Sequence, residues 1–188
     1  AFNGAKLRSI AFNDVVTSIG DFAFADCGLA DMTVMTMPES IEYLGTSALK
    51  GADTIEEITV PFVGTVEDDT VHTKFVDLFG GVANNLRIVK ILKGRVLGFE
   101  AFGNYHNLEG LISVILPENL IEIGQSAFSQ TTLTELKIPE SVKFIGRDAF
   151  SLSRIENINL PNGLEEIDDH VFYSSYIKKI EIPDSVKN

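Results

Sequence analysis

Apolar and polar positions alternate along this chain in a pattern that recurs at a nearly constant interval. Counted from a proline, apolar residues stand at positions −6, −3, −1, +3 and +6, glycine at +7, and Ala-Phe at +10 and +11. The pattern is clearest in LTELKIPESVKFIGRDAF, and Pro139, Pro161 and Pro183 follow one another at intervals of 22 residues. Such a period is typical of a solenoid, in which each repeat forms one coil and stacks on its neighbours.

Each position of the template predicts a structural element. Residues at −3 and −1 share one face of a short strand, so Leu136 and Ile138 point inward and the residues between them point outward. Proline ends the strand pairing, and glycine at +7 allows a tight bend that a β-carbon would obstruct. Alanine lets coils approach closely, and the phenylalanine after it stacks on its counterparts above and below. We therefore expect a spine of stacked phenylalanine rings.

The predicted fold is a right-handed, curved leucine-rich repeat solenoid. It has one parallel β-sheet on the concave face and short irregular or β segments on the convex face. Residues 1–188 form a single solenoid of about eight coils, whose predicted strands begin at Leu7, Met32, Ile55, Leu86, Leu111, Leu133, Ile155 and Ile177. By subtraction the steps are 25, 23, 31, 25, 22, 22 and 22 residues, so insertions concentrate in the N-terminal half.

The longest step contains an insertion at residues 62–85. Within it, Leu78-Phe79 fits the Ala-Phe positions of the template, and the remainder is expected to bulge outward as a loop. The next coil has Leu92 where proline stands elsewhere. We expect strained register at this point.

Composition and charge narrow the function classes. With 15 Lys and Arg against 27 Asp and Glu, the net charge is −12, which disfavours binding to nucleic acid and to anionic membranes. No apolar run is long enough to cross a bilayer, and the N-terminus has no signal-peptide pattern. The single cysteine, Cys27, excludes an intrachain disulfide and is expected to be a buried, unreactive thiol.

Candidate catalytic chemistry is sparse. His72, His106 and His170 lie on different coils, and none has Ser, Cys or Asp at a spacing that suggests a nucleophile and its base. We expect no enzyme activity, no cofactor and no metal site. Glu67, Asp68 and Asp69 could offer oxygens to Ca²⁺, but they lack the spacing of a calcium loop, which favours a solvated acidic loop.

The run LxxIxIPxxVxxIGxxAF resembles the repeat of BspA-type leucine-rich repeat proteins, and the resemblance covers the chain from Ala1 to Val186. It implies a cell-surface or secreted protein that adheres to a protein or glycoprotein ligand on a host or microbial surface. The chain opens inside one repeat and stops before the glycine bend of another. We therefore expect a fragment of a longer protein, with open edges that permit end-to-end self-association.

Outward positions of the strands provide the candidate binding residues. Three isoleucines, Ile88, Ile112 and Ile115, stand beside Lys90 where solvent is expected, directly after the insertion. With Glu67, Asp68 and Asp69 they form the predicted site of a non-catalytic binding scaffold. Two alternatives remain open at this stage. The insertion could cover the isoleucines as a private lid, or the chain could be a structural spacer with no ligand.

Overall fold

The computed structural model describes residues 1–71, 74–103 and 105–187, and it is a parallel β-solenoid. Twelve short strands in these ranges alternate between two positions on the coil. The strands that follow the LxxLxL pattern form the first column: β2 (Val34–Thr36), β4 (Glu57–Val60), β5 (Ile88–Ile91), β7 (Ser113–Ile115), β9 (Glu135–Lys137) and β11 (Asn157–Asn159). The strands that follow the proline turn form the second column: β1 (Ser18–Ile19), β3 (Tyr43–Leu44), β6 (Val96–Leu97), β8 (Glu122–Ile123), β10 (Phe144–Ile145) and β12 (Glu166–Ile167).

The first column confirms the predicted strands at six of the eight expected places. Strands β2, β4, β5 and β7 form one parallel ladder and β9 and β11 another, so the single predicted sheet is split between β7 and β9. At Leu7 there is only an isolated bridge to Gly28, and the amide of Ile10 donates to Met32 Sδ at 3.0 Å rather than to a backbone carbonyl. The coil that begins at Ile177 carries no strand in the described residues. The two outermost predicted strands are therefore wrong, and at the N-terminal one the thioether of Met32 takes the place of a backbone acceptor.

A turn connects the two columns in each regular coil. The proline carbonyl accepts the amide three residues later, as Pro117 does from Leu120 at 3.1 Å and Pro139 from Val142 at 3.1 Å. The chain then enters the second column and bends at glycine. A β-carbon at Gly45 would lie 2.2 Å from the amide nitrogen of Asp21, so the close approach of the neighbouring coil requires glycine there.

Inside the coils, the predicted phenylalanine spine is confirmed. Rings of Phe102, Phe128, Phe150 and Phe172 stack in order with centroid separations of 5.4, 5.5 and 5.6 Å and interplanar angles of 5–7°. Phe2 stacks on Phe24 in the same way at 5.4 Å. Phe128 and Phe150 are fully buried, and alanine precedes each of them in the core. The spine thus joins the coils from Phe75 to Phe172, and Leu49 takes the phenylalanine position in the coil between Phe24 and Phe75.

Most of the insertion packs into the stack instead of bulging outward. Phe75, Val76, Leu78 and Phe79 are buried, and the 3₁₀ helix Phe75–Phe79 ends at Gly80 with φ 76°. On the side of the preceding coil, Leu78-Phe79 occupies the Ala-Phe positions as predicted, because Leu49 donates its amide to the Leu78 carbonyl at 2.8 Å. Toward the following coil Phe75 takes the spine position, stacking on Phe102 at 5.2 Å. Residues 66, 67, 70 and 71 are exposed and form part of the expected surface loop, and residues 74, 80, 82, 84 and 85 of the insertion are exposed as well.

Leu92 extends the ladder where other coils have proline. Its amide donates to the Val60 carbonyl at 3.0 Å, and the next amide, that of Lys93, donates to the Pro61 carbonyl at 2.9 Å. Proline could not donate the first of these bonds. The missing proline therefore lengthens the pairing of β4 with β5, and the expected strain in register does not occur between these strands.

Candidate functional site

The outward side chains of the first column form the candidate site. Strand alternation buries Ile58, Val89 and Val114 and leaves the residues on either side of each of them toward solvent. Parallel register then aligns Ile88 with Ser113 and Lys90 with Ile115. Ile88 and Ile115 are consequently diagonal neighbours on one face rather than directly opposite each other.

Two of the three predicted isoleucines are strongly exposed. Ile112 has 61 % and Ile115 48 % of its surface accessible, whereas Ile88 is half-buried. Lys90 is exposed on the same face. The structure therefore brings Ile88, Lys90, Ile112 and Ile115 together into one patch, which we call the isoleucine patch.

The insertion does not cover the isoleucine patch. Its contacts run along the second column: the Thr65 carbonyl accepts the amide of Leu44 at 2.9 Å, and Asp68 Oδ1 accepts the amides of Arg95 at 2.6 Å and Val96 at 2.9 Å. These contacts place residues 65–68 between β3 and β6. The alternative of a private lid over Ile112 and Ile115 is wrong.

The three acidic residues of the insertion contact other groups of the same segment and of the coil that follows it. Glu67 Oε2 lies 3.6 Å from Lys93 Nζ. Asp69 is buried, and its carboxylate accepts hydrogen bonds from the Thr65 amide at 2.9 Å and the Val71 amide at 2.8 Å. With Asp68 held by two amides, the trio positions the insertion rather than presenting a free acidic surface.

A long depression follows the first column toward the C-terminal end. One part, of about 580 Å³, lies over β7, β9 and β11, and the next, of about 510 Å³, lies over β11 and residues 179–184. They share Asn157 and Asn159, so they form one continuous concavity, which we call the trough. Ile112 and Ile115 line its β7 end, which joins the isoleucine patch to the trough.

The outward residues of β9 and β11 were not among the predicted binding residues. The trough floor carries Glu135, Lys137, Asn157 and Asn159. The constant 22-residue steps from Leu111 onward are the signal that could have located them, because equal coils stack into an uninterrupted face.

The predicted catalytic and metal-binding candidates do not form a site. Among the described residues there is no group of three or more His, Cys, Asp or Glu that could hold a metal ion. His170 has a φ of 59° and its ring meets Tyr173 edge-on, while His72 lies outside the described residues. No helix in the described part of the chain is long and apolar enough to cross a membrane.

Cys27 is buried beside the spine, as predicted. Burial is the main cause that raises the pKa of its thiol, and the adjacent Asp26 carboxylate adds to the effect. The thiol therefore stays neutral at physiological pH, and a neutral thiol is a poor nucleophile.

The model of the BspA type leucine rich repeat region matches residues 1–70 and 82–188 in six copies. The chain belongs to the BspA-type leucine-rich repeat family. The resemblance drawn from the repeat pattern is thus confirmed. No curated protein gives a significant match.

Solved structures of three leucine-rich repeat proteins align with this chain. A leucine-rich repeat protein from Bacteroides ovatus aligns with a TM-score of 0.54 and 21 % identity over 94 % of this BspA-type chain and 49 % of its own. The leucine rich repeat protein of T. pallidum aligns with a TM-score of 0.48 and 21 % identity, and the alignment covers 90 % of this chain and 64 % of the T. pallidum protein. A leucine rich cell surface protein from Faecalibacterium prausnitzii aligns with a TM-score of 0.45 and 20 % identity, and the alignment covers 91 % of this chain and 60 % of that protein. The chain spans about half to two thirds of the length of these proteins. The likeness to the Bacteroides ovatus protein shows the fold alone.

Proposed function

We propose that this chain is a non-catalytic scaffold that binds a protein or glycoprotein ligand on its concave face, as part of a cell-surface or secreted protein. The observation that carries the proposal is the exposure of Ile112 and Ile115 at the mouth of the trough. Exposed apolar groups clustered on a concave face, next to polar side chains, are typical of contact sites.

The isoleucines have no structural role that accounts for their exposure. Their neighbours Leu111 and Val114 point into the core and hold the strand, whereas Ile112 and Ile115 point outward. A ligand that buried them would gain the free energy of removing apolar surface from water, about 25 cal/mol per Å². The fold does not require apolar side chains at these two outward positions, whereas binding of a ligand would use them.

The proposed binding surface consists of the isoleucine patch and the adjoining trough. Glu67, Asp68 and Asp69 are left out because their carboxylates contact Lys93, the β6 amides and the insertion itself. Membership of the BspA-type family supports a cell-surface or secreted location and an adhesive role, because the resemblance described above implies both. The non-catalytic nature is supported by the family's repeat scaffold.

A binding screen tests the proposal. The chain is probed against extracellular-matrix proteins and host and microbial glycoproteins, beside a variant carrying Ile112→Asp and Ile115→Asp. We expect at least one ligand, with affinity reduced at least tenfold in the variant because two charges would be desolvated at the contact. Circular dichroism confirms that the variant is folded.

The matched control carries Val71→Asp and Leu152→Asp, which add the same charge at exposed apolar positions outside the patch. This control should bind as the wild type does. Equal loss in both variants would show a general effect of charge. If no protein binds, or if the patch variant binds normally, the proposal fails and a structural spacer becomes the better account.

A further inference from the structure

The charges that line the trough point to the kind of partner it accepts, an inference that rests on the proposed function. The described lining residues carry five carboxylates and two ammonium groups, so two positive charges stand against five negative charges and the net charge is −3. They are Glu118, Glu135, Glu140, Glu181 and Asp184, with Lys137 and Lys179. A concave surface of one sign concentrates ligands of the other sign.

The two lysines are already paired within the trough. Lys137 Nζ lies 3.7 Å from Glu118 Oε1, and Lys179 Nζ lies 2.8 Å from Glu181 Oε1. In the described part of the chain, Glu135, Glu140 and Asp184 form no ion pair. The uncompensated charge of the trough is therefore carried by three carboxylates that are open to a ligand.

Apolar and polar groups are segregated along the trough. Ile112 and Ile115 occupy the β7 end, and the asparagines Asn157 and Asn159 lie farther along, each offering a donor and an acceptor. None of the described lining residues is aromatic, so the trough lacks the flat rings on which sugars commonly stack. An acidic lining also repels sulfated and sialylated glycans.

We infer that the trough binds an extended cationic polypeptide segment that places an aliphatic or aromatic side chain on Ile112 and Ile115 and Lys or Arg side chains beside Glu135, Glu140 and Asp184. At about 4.8 Å between coils, the four coils from β7 onward span about 14 Å, which four or five extended residues cover. The asparagine amides meet the peptide groups of this segment.

The first test pans the folded chain against a phage-displayed library of random heptapeptides and, in parallel, against a glycan array. We expect enriched peptides in which Lys and Arg outnumber Asp and Glu, with at least one apolar residue. Enrichment of neutral or acidic peptides, no enrichment, or a glycan whose binding is lost in the Ile112→Asp, Ile115→Asp variant overturns the inference.

The second test measures binding of the most enriched peptide by fluorescence anisotropy at low and high salt. The trough variant carries Glu135→Gln, Glu140→Gln and Asp184→Asn, and the control carries Glu42→Gln, Glu122→Gln and Glu166→Gln on or beside the second column. Both have the same net charge. We expect about a tenfold loss in the trough variant, from three screened ion pairs, and none in the control.

Equal loss in both variants would mean that the peptide responds to net charge alone, and the inference would fall. The outcome for the proposed function is separate. If a protein ligand from the binding screen depends on Ile112 and Ile115 but not on the three carboxylates, the binding scaffold stands and the cationic partner does not.

Discussion

At the residue scale, the stacked rings of the spine carry much of the contact between coils. Phe128 is fully buried and lies between Phe102 and Phe150 at 5.4 and 5.5 Å. We expect Phe128→Ala to lower the free energy of unfolding by about 3 to 5 kcal/mol, from lost burial and the cavity that remains. Urea unfolding followed by circular dichroism measures it.

The control for this substitution is Phe144→Ala, since Phe144 has 40 % of its surface exposed on β10. It should cost less than about 1 kcal/mol, because little packed surface is removed. A loss below about 1 kcal/mol at Phe128 itself would mean that the spine is not a major source of coil stability.

Two hydroxyl groups buried near the spine have no hydrogen-bond partner in the described structure. They belong to Thr131 and Ser153, three residues after Phe128 and Phe150, where Cys27 follows Phe24. A buried hydroxyl without a partner has lost its hydration without replacement. Ser153→Ala should therefore raise the free energy of unfolding by about 1 kcal/mol.

Ser151→Ala provides the comparison in the same coil. Its hydroxyl lies 3.2 Å from that of Ser129, so removing it also leaves the Ser129 hydroxyl without this partner. We expect this variant to be less stable than the wild type in the same urea experiment. If Ser153→Ala also destabilised the chain, a bound water or a relaxed rotamer would be satisfying its hydroxyl.

At the scale of single elements, the insertion stands in the place of a second-column strand. There a side-chain oxygen, instead of a backbone carbonyl, accepts the amides of the next coil. In regular coils one carbonyl accepts two successive amides, as Arg95 does from Ile121 and Glu122 at 2.7 and 3.0 Å. For β6 the acceptor of both amides is Asp68 Oδ1. Asp68 has a φ of 56°, a left-handed conformation that Asp and Asn tolerate better than most residues.

This geometry predicts different effects for two substitutions of Asp68. Asp68→Asn keeps an Oδ1 acceptor and should cost less than about 1 kcal/mol, whereas Asp68→Ala leaves two amides without it and should cost about 2 kcal/mol. Hydrogen exchange at the Arg95 and Val96 amides should accelerate only in the alanine variant. Equal effects would show that the charge of Asp68, rather than its position as an acceptor, holds the insertion.

The same elements show how far the sequence determines the fold. The spacing of apolar residues, proline, glycine and phenylalanine is local to each coil, so it predicted the first-column strands and the spine. It could not show that Phe75 and Phe79 divide one spine position between two neighbouring coils. Nor could it show that Asp68 acts as a ladder acceptor, since a side chain that replaces a carbonyl leaves no periodic signal.

For the candidate site, the spacing of the inward residues Leu111, Val114 and Leu116 was sufficient to place Ile112 and Ile115 on the outward face. It was insufficient for Glu67 to Asp69, because their contacts with Lys93, Arg95 and Val96 depend on how the insertion packs on the next coil. The acidic lining of the trough also follows from stacking: Glu140 and Asp184 are distant in sequence and meet one concavity only when the coils align.

At the scale of the whole molecule, each coil contacts only its neighbours, so the outermost coils carry rings with one uncovered side. Phe2 stacks on Phe24 and is 49 % exposed, and Phe172 stacks on Phe150 and is half-buried. Near Phe172, Tyr176 is 61 % exposed. The two ends differ from each other, so contact between them would be head to tail.

We therefore expect chain 1–188 to associate end to end as its concentration rises, with Phe2 of one copy approaching Phe172 of the next. Light scattering should give an average mass that grows above the 20.6 kDa of the monomer. Phe2→Asp should shift the mass toward the monomer, because it places a charge in an apolar contact. Leu152→Asp adds the same charge at an exposed position on the coil that precedes the one carrying Phe172, away from the uncovered ring, and should leave association unchanged. A wild-type chain that stays monomeric at millimolar concentration, or a Leu152→Asp variant that dissociates as readily as Phe2→Asp, would contradict association through the ends of the spine.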